Sequence, residues 1–116
     1  KSNISSDFII NISNDTWFGN SIGPYHHLSI ARVRALENDK WVIRATNDGF
    51  SAVISNKGTI VDKLDKGVSG VLNSSIDTVY KPATPYTTGG YFIPYYLALM
   101  LVFISAIINL CIKRHL

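Results

Sequence analysis

A loop that combines amide, carboxylate and aromatic side chains follows Ile12 and runs to Gly23. The groups able to bind a ligand are on Asn14, Asp15, Trp17 and Phe18. Ordinary connections are short and polar, whereas binding and catalytic groups concentrate on loops that a rigid scaffold holds. Glycines such as Gly19 permit backbone angles closed to other residues, and aromatic rings offer apolar surface. The loop is therefore typical of a binding or catalytic site.

The remaining residues that could do chemistry are one thiol and a pair of imidazoles. Cys111 is the only cysteine, and it lies in an apolar segment with no acid or base beside it. Apolar surroundings disfavour the reactive thiolate, so we interpret Cys111 as structural. His26 and His27 are adjacent and would point about 100° apart on a helix. Without a second pair of ligands they do not predict a zinc site.

A strand and a helix flank the loop. The apolar run from Phe8 to Ile12 is typical of a buried strand. Pro24 suits the first turn of a helix, which we predict over Tyr25 to Asn38. Apolar residues recur on this helix at Leu28, Ala31, Ala35 and Leu36. The helix is therefore amphipathic and should pack on a sheet.

Three more strands are predicted after the helix, at residues 41–46, 50–55 and 59–64. Turn signals at 47–49 and 56–58 separate them, and the second is a tight hairpin. The segment 67–76 could supply one further strand. This order of elements favours a layered α/β sheet.

The segment from Pro82 to Ile112 contains no Asp, Glu, Lys or Arg. Its first part, 82–90, has the Pro, Gly and Thr content of a linker. The rest, 91–112, is long enough for a membrane span, which needs about 20 apolar residues. The alternative is a buried core helix, but a domain this small could not surround 22 uncharged residues. We therefore predict one transmembrane helix.

The residues at the two ends of this segment predict its orientation. Tyr91, Tyr95 and Tyr96 lie at one end, as in an interfacial aromatic belt. Lys113 and Arg114 lie at the other end and, by the positive-inside tendency, place the tail 113–116 in the cytoplasm. The α/β part then faces the opposite side of the membrane.

Length and charge exclude some classes of protein. A chain of 116 residues forms one small domain at most, and the soluble part, 1–81, has too modest a core to be a complete domain. The net charge is +3, and lysines and arginines are scattered without a basic stripe. We therefore expect no nucleic-acid partner.

Four sequence blocks together resemble the apolipoprotein N-acyltransferases, bacterial membrane enzymes whose catalytic domain belongs to the nitrilase (carbon–nitrogen hydrolase) superfamily. The blocks are residues 12–19, 21–24, 31–37 and 44–49. Thr16 stands where the family has a small residue such as Ala, and Asp48 where it has a second Asn. The order and spacing of the blocks carry the resemblance, which covers nearly the whole chain.

The resemblance implies a fold and a location. Residues 1–81 would be the second half of a nitrilase-like α-β-β-α sandwich, an α/β fold, followed by the linker 82–90, one C-terminal transmembrane helix at 91–112 and the tail 113–116. The α/β part would be periplasmic, and the protein would lie in the bacterial inner membrane.

The resemblance also implies a reaction. A cysteine, assisted by a glutamate and a lysine, would take an acyl chain from a phospholipid and pass it to the N-terminal amine of a diacylglyceryl-cysteine lipoprotein, without metal or nucleotide. The family's cysteine lies in a Cys-Tyr-Glu block shortly before the residues matching Phe8 to Ser13, and the other two lie earlier. We therefore expect no catalytic residue in this chain, an inactive fragment, and a missing N-terminal part as partner. The alternatives are a fragment of a nitrilase-type amidase and a non-catalytic membrane-anchored remnant or binding module.

What the resemblance leaves for this chain is the wall of the substrate pocket, at Asn14, Asp15, Trp17, Phe18, Gly19, His27 and Asn47. Several of these residues also fit purely structural roles. Asp15 could cap a helix or form an Asx turn, Trp17 could be packing, and Asn47 suits a turn. His27 could position other groups of the site without contacting the substrate. Glu37 more plausibly pairs with Arg34 than acts as an acid or base.

Overall fold

The computed structural model describes residues 6–77 and 82–115. The chain divides into two units, one ending at Thr84 and the other beginning at Pro85. The first unit contains β1 (Phe8–Asn14), α1 (Gly23–Asn38), β2 (Trp41–Asn47), β3 (Ser51–Ile54) and β4 (Ile60–Leu64).

The four strands form one sheet in the order β1-β2-β3-β4. The helix α1 connects β1 to β2, which are parallel, as the two strands of a crossover unit must be. Hairpin connections make β3 antiparallel to both of its neighbours. All four predicted strands and the predicted helix are confirmed, with ends that differ by a few residues.

The ends of α1 follow from its sequence. Pro24 lies in the first turn, where its missing N–H costs no hydrogen bond. The helix ends at Asp39, whose backbone is left-handed with φ 50° and whose N–H bonds back to the carbonyls of Ala35 and Leu36. Aspartate adopts this conformation more readily than most residues, which explains why the helix stops here.

The core lies between α1 and one face of the sheet. Its buried members are Leu28, Ala31, Ala35, Val42, Phe50, Ala52 and Ile54. Leu36, which we predicted on the same helix face, is 53% exposed. It points instead towards the β3–β4 turn, where a Cβ on Gly58 would lie 3.1 Å from its side chain.

The other face of the sheet, on which Ile10, Ile43 and Val53 lie side by side, is buried at Val53 and exposed along β1. Alternate residues of β1 project to it, and Ile10 and Ile12 are 61% and 81% exposed. Phe8 lies on the same face and is also exposed. This set of three residues is called the open face below.

The further strand that we considered within 67–76 is absent from the described residues, which have no regular structure there. The chain makes a turn after β4, with a hydrogen bond from Val68 N to Asp65 O of 3.2 Å and a positive φ of 77° at Gly67. Gly67 and Gly70 also give this segment little side-chain surface to pack.

The second unit is dominated by the helix α2 (Ile93–His115), which a short 3₁₀ turn at Gly90–Phe92 precedes. The stretch Gly90–Ile112 is long and apolar enough to cross a membrane, and so is a candidate transmembrane helix. Aromatic rings gather at its start, with centroids 5.9 Å apart for Tyr86 and Tyr91 and 4.2 Å apart for Tyr91 and Phe92. The linker, the limits of the span and the tail stay predictions.

The core assignment leads to a prediction about stability. Ile54 is fully buried, so Ile54→Ala should lower the free energy of unfolding by about 2–5 kcal/mol. Val61→Ala, at a position that is 51% exposed, should change it by less than about 0.5 kcal/mol. Urea denaturation followed by tryptophan fluorescence measures both, and equal effects would contradict the core described here.

Candidate functional site

The loop and a turn leave the sheet at the same edge. Because β1 and β2 are parallel and in register, Asn14 lies beside Asn47 at their carboxyl ends. The amide of Asp15 donates a 3.0 Å hydrogen bond to the carbonyl of Asn47, which continues the pairing beyond the strands. We call this region, with the loop 15–22 and the turn 48–49, the carboxyl edge.

Asp15 lies beneath the carboxyl edge and is fully buried. Its Oδ2 accepts a 2.8 Å bond from Nη2 of Arg44, and its Oδ1 lies 2.9 Å from Nδ1 of His27. The hydroxyl of Ser13 donates to the same Oδ1 at 3.2 Å. One carboxylate thus holds together β1, β2 and α1.

Arg44 is only 4% exposed, and its other two nitrogens also donate hydrogen bonds. Its Nε donates to the carbonyl of Phe50 at 3.3 Å, and its Nη1 donates to the side-chain oxygen of Asn11. Sequence reasoning missed this residue. The available signal was its position two residues after Val42, which places a cation on the face of β2 that packs against α1.

The turn after β2 closes tightly on Asp15. A Cβ on Gly49 would lie 2.9 Å from Cβ of Asp15 and closer still to its Oδ2, so no larger residue fits. Asp48 before it has φ 56°, a left-handed angle at which Asn and Asp are enriched. This shared tolerance explains how Asp replaces the expected Asn without disturbing the turn.

Two aromatic rings stand above the buried carboxylate. Trp17 and Phe18 stack with centroids 4.3 Å apart and an interplanar angle of 27°. Trp17 is 74% exposed, and its Nε1 donates a 2.7 Å bond to the carbonyl of Asn14. Phe18 meets the ring of His27 nearly at right angles, with centroids 4.7 Å apart. We call Trp17 and Phe18 the aromatic pair.

A lysine in the turn after β4 forms hydrogen bonds with the later part of the loop. The Nζ of Lys66 donates to the carbonyl of Gly19 and, at 3.3 Å, to the side-chain oxygen of Asn20. It also lies 3.8 Å from Oδ2 of Asp48. The loop is therefore fixed to both neighbouring connections of the sheet.

The predicted pocket residues occupy two levels of this arrangement. Asn14, Trp17, Gly19 and Asn47 are exposed, whereas Asp15 is buried and His27 and Phe18 are half-buried. Asn14, rather than Asp15, forms the local turn bond, accepting from the amide of Thr16 at 3.1 Å. Asp15 begins a 3₁₀ turn at Thr16–Phe18, but its side chain does not cap it. That the seven predicted residues form a pocket wall stays a prediction.

The predicted pairing of Glu37 with Arg34 is confirmed, with 2.7 Å between Oε2 and Nη1. Among residues 6–77 and 82–115, no group of three or more His, Cys, Asp or Glu side chains could hold a metal. The carboxyl edge offers amides for hydrogen bonding and an exposed aromatic ring for apolar contact. Groups of these kinds are suited to binding and orienting a ligand.

The buried ion pair leads to a second prediction. Asp15→Asn should leave the guanidinium of Arg44 buried without a counter-charge and cost about 3–5 kcal/mol of unfolding free energy. Asp48→Asn, the matched control at a partly exposed carboxylate, should cost about 1 kcal/mol or less. Adding Arg44→Met to Asp15→Asn should recover part of the loss. Thermal melting of the four proteins checks this, and equal loss from the two aspartate variants would contradict it.

Comparison with known proteins identifies the family. The carbon–nitrogen hydrolase family matches residues 5–86. Curated relatives named apolipoprotein N-acyltransferase include one from Photobacterium profundum, 42% identical over 106 residues, covering 91% of this chain and 20% of the relative.

Two further relatives of that name come from Vibrio parahaemolyticus, 48% identical over 73% of the chain, and Pasteurella multocida, 44% identical over 84%. This chain covers 17% of the first of these two relatives and 18% of the second. It thus spans about a fifth of the length of the proteins it matches and is a fragment relative to them. The resemblance inferred from the four sequence blocks is confirmed, and the chain belongs to the carbon–nitrogen hydrolase family.

Proposed function

We propose that this chain is the C-terminal part of an apolipoprotein N-acyltransferase. The whole enzyme would transfer an acyl chain from a phospholipid, through a cysteine thioester, to the N-terminal amine of a diacylglyceryl-cysteine lipoprotein. The observation that carries the proposal is the identity of 42–48% to relatives of that name over most of the chain. The candidate transmembrane helix is consistent with a membrane enzyme acting on lipid substrates.

The chemistry would come from residues outside this chain. The only cysteine is Cys111, within the candidate transmembrane helix, where the apolar surroundings of a bilayer disfavour a thiolate. The nucleophilic cysteine, the glutamate and the lysine would therefore lie in the part of the longer protein that this chain does not cover. In such an enzyme the α/β unit would be periplasmic, and the C-terminus cytoplasmic.

The contribution of this chain would be one wall of the substrate pocket. Asn14 and Asn47, side by side at the carboxyl edge, would offer amide groups to the polar parts of the substrates. The aromatic pair would offer an apolar surface, and Gly19 would leave the backbone accessible. Asp15 and His27 would support these groups from beneath. Asp15 is bonded to Arg44 at 2.8 Å, and His27 lies 2.9 Å from Asp15.

The uncovered surfaces around β1 support the α-β-β-α sandwich as the complete fold. On one side lies the open face, with Ile12 81% exposed. On the other, a cleft of about 260 Å³ between β1 and α1 is lined by apolar residues, among them Ile9 and Ile30, and by polar ones, among them Asn11 and Arg34. Soluble proteins rarely leave a row of aliphatic side chains such as the open face to water. A second sheet on the open face and a helix beside α1 would cover both surfaces.

A fragment of a soluble amidase is the less favoured reading because of Gly90–Ile112, which is uncharged and contains no buried residue in the apolar window that defines the candidate span. Such an enzyme would need a partner to cover this helix. In the membrane enzyme the bilayer covers it.

Because the proposal puts the catalytic residues outside this chain, it predicts which polypeptides have acyltransferase activity. A longer polypeptide that adds the whole missing N-terminal part, with the Cys-Tyr-Glu block and the earlier glutamate and lysine, should transfer acyl groups from phospholipid to a diacylglyceryl-cysteine peptide in detergent micelles. The 116-residue chain alone should give no product. In the longer polypeptide, Cys111→Ser should leave the rate unchanged, whereas replacing the upstream cysteine by alanine should abolish it. Product formed by the isolated chain, or lost with Cys111→Ser, would refute the proposal.

The sandwich predicts that the open face binds the upstream half. When the two halves are produced as separate polypeptides, Ile10→Lys or Ile12→Lys in this chain should weaken their association about tenfold or more, because each buried isoleucine contributes about 1.5–3 kcal/mol. Val33→Lys, at a half-exposed position on α1, is the control. Sedimentation of the purified halves measures the complex. Association that tolerates the β1 variants as well as the control would exclude the open face as the contact.

A further inference from the structure

A continuous series of contacts joins the buried ion pair to the exposed ring of Trp17. It runs from Arg44 to Asp15 at 2.8 Å, and from Asp15 to His27 at 2.9 Å. It continues from His27 to Phe18 through an edge-to-face ring contact, and from Phe18 to Trp17 through a stack. His27 is the only member of the series on α1, and it lies between the ionic half and the aromatic half.

The carboxylate fixes the orientation of the His27 ring. Because the Asp15 carboxylate, paired with Arg44, can only accept, we assign the hydrogen of the 2.9 Å contact to Nδ1 of His27. Asp15 itself cannot move, since it is fully buried and bonded to Arg44 and Ser13 as well. The imidazole plane is therefore set by groups that belong to the sheet.

The His27 ring in turn restricts Phe18. The ring centroids are 4.7 Å apart at 87°, a preferred geometry for two aromatic rings. On another side Phe18 is blocked by the first residue of α1, because a Cβ on Gly23 would overlap the Phe18 ring. Phe18 thus fits between His27 and Gly23. Its stacked neighbour Trp17 is held by Phe18 and by its bond to Asn14.

We propose that His27 is a positioning residue, which sets the aromatic pair at the carboxyl edge by joining the Phe18 ring to the buried Asp15–Arg44 pair. It acts through Phe18 and does not touch substrate. This inference rests on the proposed function in one respect, namely that the aromatic pair contacts an acyl-bearing substrate. The expected consequence of losing His27 is weaker substrate binding, seen as a higher KM with little change in kcat.

The test uses the longer, active polypeptide and His27→Asn. Asparagine places an amide nitrogen where Nδ1 lies, so the bond to Asp15 is kept while the ring that meets Phe18 is lost. The KM for phospholipid or lipoprotein substrate should rise about tenfold, the factor that a loss of about 1.4 kcal/mol of binding free energy produces. His26→Asn is the matched control, because His26 is adjacent and exposed. Equal KM values for the two variants would overturn the proposal.

A double-mutant cycle separates positioning from general loss of stability. Phe18→Leu should raise KM to a similar degree, and the double variant should raise it no further than the larger single change, since His27 acts through Phe18. If the increases in KM of the two single variants multiplied in the double variant, the proposal would be overturned. Phe18→Leu also leaves the bond between His27 and Asp15 intact, so it tests the aromatic half of the series should His27→Asn fail to fold.

A spectroscopic measurement tests positioning without activity. The difference between the polypeptide and its Trp17→Phe variant isolates the emission of Trp17. His27→Asn should lower the anisotropy of that emission, and His26→Asn should not. An unchanged anisotropy in His27→Asn would refute the positioning role. If the unsubstituted polypeptide transfers no acyl group while the anisotropy falls as expected, the proposed function fails and the positioning role stands.

Discussion

One buried ion pair connects the strands, helix and loop of the α/β unit. Removing a carboxylate and a guanidinium from water costs several kcal/mol per ion, and attraction compensates only when the remaining hydrogen-bonding groups are also satisfied. Asp15 and Arg44 meet that condition, since the carboxylate also accepts from Ser13 and contacts His27, while the guanidinium reaches Asn11 and the carbonyl of Phe50. Strands, helix and turn must all keep their places for the pair to be stable.

The same condition explains why the loop above the pair can carry binding groups. Its first residue is bonded to β2 through Asn47, and its later part is held by Lys66. An exposed tryptophan on a free loop would lose conformational entropy on meeting a ligand. Trp17 has already lost much of that freedom, because Phe18 and the carbonyl of Asn14 hold its ring. Under the proposed function, the buried charges would thus contribute to binding by fixing a surface that they do not touch.

The sequence was sufficient for local structure and insufficient for the ion pair. Apolar spacing, Pro24 and the turn residues predicted α1 and all four strands, because these signals act over a few neighbouring residues. The expectation for Leu36 failed because α1 also contacts a hairpin, and the strand considered within 67–76 failed because the turn at Gly67 ends the extended backbone of β4. Arg44 was missed for a deeper reason. Whether a buried charge is tolerated depends on partners 33 and 29 positions away, Asn11 and Asp15, which only the assembled fold brings together.

Under the proposed function, the same second sheet would complete both the fold and the active site. Alternation along β1 puts Asn14 on the same side of the sheet as Ile10 and Ile12, and register puts Asn47 beside Asn14. A second sheet that buried the two isoleucines would therefore extend along the face from which the two amides project. Catalytic groups carried by that sheet would arrive at the carboxyl edge because hydrophobic burial brings the sheets together. The open face, which is a liability for the isolated chain, would be what aligns the two halves of the active site.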